Sequence, residues 1–344
     1  MKKKPIIITT AFLLLVAVFI GSLAFYKNAT TVDDFETVAT VNGYEICAKE
    51  LRLQMSIAKP YIIEQYQDYD ITEKFWNTKI NGKKTIEILR ERALETLIRY
   101  KVEQNEAVKC KILKKNTTDY QSFLKSLELE NKTRQEKINR GEIVYGAKEY
   151  TESSYFTYIY SNMQIANAEI LGEKGGTLYA NNATLKKWYE EVKAERYPKF
   201  DTIELDYYYL SPEQKNANSI IKKVEKSLKS GNYDYVNQNV GKLFNYKIIT
   251  VDDNSASDVQ KLTPQFFETL QTIKVGEVSN AFFENNQCFV TICKSREKAG
   301  YKSFEEYKNA IYSEYISEQY AKYIDDLVKK AKVETLKKFQ YVNL

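Results

Sequence analysis

Ile203-Glu204-Leu205-Asp206-Tyr207-Tyr208-Tyr209-Leu210 alternates apolar and polar side chains at its start. Period-two alternation predicts a strand with a buried face. The residues from there to Arg296 extend that reading. A helix is expected over Pro212–Ser230, with Ala217, Ile220, Ile221, Val224 and Leu228 inward and Gly231 as its stop. Leu243–Val251 is strand-like, and Pro264 opens a short helix through Leu270. Val275-Gly276-Glu277-Val278 is a turn leading to the last strands, including Phe289-Val290-Thr291-Ile292-Cys293. This order predicts a small α+β unit able to hold an extended peptide.

Composition narrows what such a unit can do. The 344 residues are enough for one to three domains, and 43% apolar content argues against wholesale disorder. The net charge of +5 is small, and Lys is interleaved with Asp and Glu, so nucleic acid is not an expected partner. The chain has no histidine. That removes Ser-His and Cys-His nucleophilic pairs, histidine general bases and histidine metal sites. No cofactor and no metal are expected. Cys47, Cys110, Cys288 and Cys293 form no CxxC pair. Cys288 and Cys293 sit on opposite faces of one strand, roughly 16 Å apart, too far to bridge. Cys47 with Cys110 is geometrically open, although buried free thiols fit the pattern better.

Upstream, Lys2-Lys3-Lys4 precede an apolar run from Ile6 to Phe25, so residues 1–27 read as a membrane anchor or signal. About 20 apolar residues just span a bilayer core, and the lysines keep the N-terminus cytoplasmic with the bulk of the chain outside. Ser22-Leu23-Ala24 offers a cleavage site, in which case the protein is secreted. Residues 28–36 are a polar tether. Val38–Val41 reads as a short strand before the Asn42-Gly43 turn. Helices are expected over Ala48–Tyr66, Thr85–Cys110, Asp119–Gly141 with Thr118 as N-cap, Tyr150–Leu171 and Asn182–Arg196. Ser303-Phe304-Glu305-Glu306 is a capping box opening a helix to about Lys332. At roughly 43 Å that helix outruns the small α+β unit, so its apolar stripe must return to the N-terminal helices.

Three segments resemble the SurA/PrsA family of extracytoplasmic foldases. Val38–Met55 is similar to the family's N-terminal strand, turn and helix. Ile88-Leu89-Arg90-Glu91-Arg92-Ala93-Leu94-Glu95-Thr96-Leu97-Ile98 resembles its "LR..AL..LI" helix. Leu262–Arg296 resembles the second half of a parvulin domain, with Pro264–Leu270 for "vP.F...L" and Lys274–Ser279 for "KxGEVS". The resemblance implies a helical chaperone domain built from residues 37–200 and 301–344, with a parvulin-like domain inserted at 201–300. It also implies that residues near Val333-Glu334-Thr335-Leu336 pair with Val38–Val41. Active parvulins carry one histidine in the first strand and another in the last. Here the first position falls at Tyr207 or Tyr208 and the second near Phe289, and the catalytic loop shortens to Asn237–Gly241 without its Asp or Cys.

The peptide-binding candidates are therefore aromatic: Tyr207, Tyr208, Tyr209, Phe266, Phe267, Phe289, Tyr155 and Tyr158. Alternation places Tyr207 and Tyr209 on one face and Tyr208 on the other, so at least one face is core. The Phe266/Phe267 pair fits either a proline pocket or packing. The Tyr-rich helix is either a client cradle or the interior of a helical domain. The expected function is a membrane-anchored chaperone for unfolded or newly secreted polypeptides. A prolyl isomerase with a non-histidine site, and an envelope scaffold with one dedicated partner, are the alternatives.

Overall fold

The computed structural model describes residues 31–344. The run read as an anchor therefore lies outside the described residues, among which no helix is long and apolar enough to cross a membrane. The fold is mixed helix and sheet, in two compact units. One comprises the described residues up to Ala180 together with Ser313–Leu344, and the other Asn181–Tyr312.

The first unit opens with strands β1 (Thr37–Val41) and β2 (Tyr44–Cys47). Asn42 and Gly43 join them with φ of 51° and 81°, the paired left-handed geometry that an Asn-Gly hairpin turn supplies without strain. Helix α1 (Ala48–Gln65) follows, then a short hairpin of β3 (Lys79–Ile80) and β4 (Lys83–Lys84), then α2 (Thr85–Lys109). Helix α3 (Tyr120–Asn139) is capped by Asp119, whose side chain accepts the Ser122 amide, and not by Thr118. Thr118 is instead buried, with its hydroxyl turned to the Lys115 carbonyl. Helix α4 (Glu152–Gly172) is capped by Thr151 in a reciprocal box with Ser154. The apolar stripes of α1, α2 and α4 meet β1 and β2 in one core that includes Val38, Ile46, Leu51, Met55, Leu89, Leu97 and Phe156.

The second unit begins with α5 (Asn182–Arg196) and is built on a four-stranded antiparallel sheet. Its elements are β5 (Thr202–Leu210), α6 (Ala217–Lys229), α7 (Asp234–Asn239), β6 (Asn245–Val251), α8 (Ala256–Leu262), α9 (Pro264–Thr272), β7 (Phe282–Glu284) and β8 (Gln287–Glu297). Strand order is β6-β5-β8-β7. Helix α6 starts at Ala217 and not at Pro212, because Asn216 takes a left-handed φ of 64° that interrupts any earlier turn. The segment expected to be a short catalytic loop is largely helical, as α7. Cys288 packs with Leu210 on one face of the sheet and Cys293 with Leu205 on the other, and all four cysteines are free.

Helix α10 (Phe304–Lys329) begins in the second unit and ends in the first, followed by β9 (Val333–Thr335). Strand β9 pairs antiparallel with β1, Thr40 opposite Glu334, so the first sheet has the order β2-β1-β9. The C-terminus closes further onto the first unit through Val342, which is fully buried in its core and whose carbonyl accepts from Arg90 at 2.9 Å.

Candidate functional site

In the second unit the strand register decides which candidate residues meet. Tyr207 lies opposite Thr291 and Tyr209 opposite Phe289, so these side chains share one face of β5 and β8. Helix α9, with proline at its first position, brings Phe266 and Leu270 onto that face. The Tyr207 and Phe289 rings stack at 4.9 Å. Phe266 meets Phe289 edge-on at 5.1 Å, and Phe282 from β7 completes the group. Tyr207, Phe266, Phe282 and Phe289 are all buried, Phe289 at 1% exposure. The Tyr207 hydroxyl donates to Gln287 Oε1 at 2.8 Å, and burial pushes its pKa up, so it is a neutral donor. Lys247 lies over the Tyr207 and Tyr209 rings, 5.3 and 5.1 Å from their centroids.

Phe267 and Tyr208 do not join this group. Phe267 turns away and stacks on Phe200 at 5.3 Å. Tyr208 is on the opposite face, packed with Ile221, Val224 and Val290, and burial lifts its phenol to about 12. Of the two tyrosines that match the first histidine position, only Tyr207 shares a face with Phe289. The cysteines offer no nucleophile either, since burial raises both Cys288 and Cys293 and keeps them as thiols. Asp252 and Asp253 are structural: Asp252 binds the Asn254 and Ser255 amides and Asp253 accepts the Phe200 amide. Among the described residues no cluster of His, Cys, Asp or Glu is arranged to hold a metal.

In the first unit, Tyr155 is interior, its hydroxyl 2.6 Å from Ser126 Oγ. Tyr158 is 42% exposed and stacks on Tyr150 at 5.2 Å. Beside it is a surface that sequence reading passes over. The segment between α3 and α4 holds Ile143 at 77% and Tyr145 at 83% exposure. It is nonetheless tied down. Arg134, itself buried, donates to the carbonyls of Tyr145 (3.0 Å) and Ala147 (2.7 Å) and to the Tyr150 hydroxyl (3.2 Å). Its guanidinium lies 4.4 Å from the Tyr150 ring centroid. Asn131 binds both main-chain groups of Tyr150, at 2.9 and 2.8 Å. The signal for this loop is present as Ile143-Val144-Tyr145 between Gly141 and Gly146: apolar residues in a turn context, where solvent exposure is expected.

No family model matches the chain. It is 24% identical over 332 residues to the foldase protein PrsA of Caldanaerobacter subterraneus subsp. tengcongensis, covering 94% of both chains. Its sequence is thus similar to that of a PrsA foldase over nearly its whole length. Solved structures similar to it include one of two structurally related SurA-like chaperones of Campylobacter jejuni, with a TM-score of 0.33, 16% identity and coverage of 87% of this chain and 99% of that one. Foldase protein PrsA from Streptococcus pneumoniae gives a TM-score of 0.23 and 13% identity, covering 77% and 93%.

Proposed function

We propose that this SurA/PrsA-like chain is an extracytoplasmic folding chaperone that holds unfolded or newly secreted polypeptides, tethered by the lysine-flanked apolar run of residues 6–25. The observation that carries this reading is the ordered exposure of Ile143 and Tyr145 in the first unit. Large apolar side chains left in solvent mark an interaction surface. Here a buried arginine fixes the loop that carries them, so little ordering entropy is lost when a client docks. Leu129 at 66% on α3 and Ile165 at 58% on α4 are further large apolar side chains left in solvent in this unit. Several shallow apolar contacts suit clients of varied sequence better than one deep pocket.

The second unit is read as parvulin-like but without isomerase chemistry. Lowering an amide rotation barrier of ~20 kcal/mol requires a site that admits the prolyl bond and desolvates or twists it. The packing of Phe266, Phe282 and Phe289 under Tyr207 supports a filled face, and burial keeps the Tyr207 phenol neutral. The Tyr207, Phe266 and Phe289 cluster then serves as the unit's core, and Phe267 with Tyr209 as its margin. Two assays test the reading together. The full chain should suppress aggregation of a chemically unfolded protein, and Ile143→Ser with Tyr145→Ser should weaken that effect severalfold. The slow phase of a proline-limited refolding reaction should be unchanged. Acceleration of that phase would sink the non-catalytic reading, and failure to suppress aggregation at excess chain would sink the chaperone.

A further inference from the structure

Strand β6 is the longer of the two edge strands of the second unit's sheet. It pairs with β5 on one side, and no strand follows on the other. Among the described residues, none of its main-chain groups takes a hydrogen-bond partner from outside the sheet. Natural edges of this kind are blunted by proline, a bulge or outward charge. Asn245-Tyr246-Lys247-Ile248-Ile249-Thr250-Val251 has no proline, and its pairing with β5 runs without a bulge. Its one charge, Lys247, is folded over the Tyr207 and Tyr209 rings. The side chains alternate by face. Tyr246 and Ile248, opposite Tyr208 and Asp206, are 43% and 49% exposed on one side. Lys247, opposite Tyr207, lies on the other. The Tyr246 ring is held by its hydroxyl, which donates to Asp206 at 2.8 Å.

We infer that β6 is a docking edge for an extended polypeptide segment that adds as a fifth strand. Unpaired strand amides and carbonyls are satisfied by another extended backbone, which fixes the class of partner. The flanking side chains fix its pattern. β-Branched or aromatic residues would cover Tyr246 and Ile248, and alternate polar or acidic residues would lie on the Lys247 side, where the ammonium favours a carboxylate. The inference deepens the chaperone reading and rests on it for the source of such segments. Main-chain pairing supplies affinity from the backbone itself, and the flanking side chains add selectivity.

The test uses the full chain and a labelled eight-residue peptide alternating valine with glutamate, capped at both ends. Addition of the peptide should slow amide exchange within Tyr246–Thr250, and Ile248→Lys should weaken binding at least tenfold. Ile248 is half in solvent, so that substitution leaves the core intact. Two further peptides carry N-methyl groups on alternate amides, one on the valines and one on the glutamates. At least one should lose binding more than tenfold, since strand addition uses main-chain donors. Binding of both as tightly as the parent, protection confined to residues outside β6, or a dimer of the chain that Ile248→Lys abolishes while peptide binding persists, would each overturn the inference. The two readings fail separately. Peptide binding at β6 without suppression of aggregation removes the chaperone and keeps the edge. Suppression of aggregation without peptide protection of β6 removes the edge and keeps the chaperone.

Discussion

Replacing Arg134 with alanine gives the most direct test of the ordered apolar loop. The substitution deletes three hydrogen bonds, to the carbonyls of Tyr145 and Ala147 and to the Tyr150 hydroxyl, and the guanidinium contact with the Tyr150 ring. Each bond from a charged donor contributes about 1.5–3 kcal/mol when buried. The ring contact adds about 0.5–1 kcal/mol. These acceptors regain water once the loop opens, and the ion pair with Glu130 is partly in solvent, so it adds little. A net local loss of roughly 3 kcal/mol results, which is about a hundredfold in the opening equilibrium. The Tyr150 amide, bound to Asn131 Oδ1, is the reporter. Its hydrogen exchange should quicken about a hundredfold, while amides in the middle of α2 keep their rates. Arg134→Lys should recover only part of the protection, because an ammonium cannot reach both carbonyls in the fork geometry of a guanidinium. Client holding should fall in the alanine variant although Ile143 and Tyr145 are intact. A Tyr150 amide that exchanges as in the parent chain would show that Arg134 does not order the loop, and the argument from preorganisation would fail with it.

Other substitutions probe the interior of each unit. Phe289→Ala should destabilise the second unit by about 3–5 kcal/mol in urea unfolding, the cost of emptying the space beneath Tyr207 and Phe266; a loss under 1 kcal/mol would mean that face is open. Lys101 and Glu50 form an almost fully buried ion pair at 2.9 Å. Lys101→Met alone should cost the first unit about 3–5 kcal/mol by stranding the carboxylate, and Glu50→Leu in the same chain should restore most of it. Glu103, buried and raised above the usual carboxylate value chiefly by loss of solvent, binds a proton more readily folded than unfolded. Its contribution is therefore fully present below the unfolded carboxylate pKa near 4.5 and is lost as pH rises through the elevated folded value. Glu103→Gln should flatten that part of the first unit's stability profile, measured as unfolding midpoint against pH.

Local chemistry makes much of this fold legible. The Asn42-Gly43 turn, the alternation of 203–210 and the proline opening α9 are each decided by neighbours in sequence. The failures have a physical pattern. Sequence alone starts helix α6 too early because nothing in Pro212–Lys215 forbids a helix, and the left-handed Asn216 that does is a tertiary outcome. Helices α7 and α8 are too short for a 3.6-residue period to register. Tyr208 and Tyr155 are binding candidates by sequence because tyrosine is at home both in cores and on surfaces, and only register and burial separate the cases. Charged residues at core positions are invisible to a pattern of apolar stripes. Glu50, Lys101, Glu103 and Glu106 carry no apolar signal, yet all four are buried.

Those buried carboxylates explain why the C-terminal segment belongs to the first unit. A helix with a merely apolar stripe could pack in several registers, but α10 also carries hydroxyls spaced to satisfy particular acceptors. Tyr320 donates to Glu103 at 3.0 Å and Tyr323 to Glu106 at 2.7 Å, each across 217 residues of sequence. Tyr160 and Gln164 from α4 bind the other oxygen of Glu103, at 3.0 and 3.2 Å. Without α10, both glutamates would lose hydrogen-bond donors and leave buried carboxylate oxygens unsatisfied. The same ends are joined again where β9 extends the β1–β2 sheet and where Lys332 and Asn42 exchange hydrogen bonds. The first unit is thus complete only after the last residues of the chain are in place, whereas residues 181–312 contain every strand of their own sheet. Contacts this distant in sequence close slowly, because loop-closure entropy must be overcome before they form. The connectivity therefore leaves the core of the first unit open until its C-terminal segment docks.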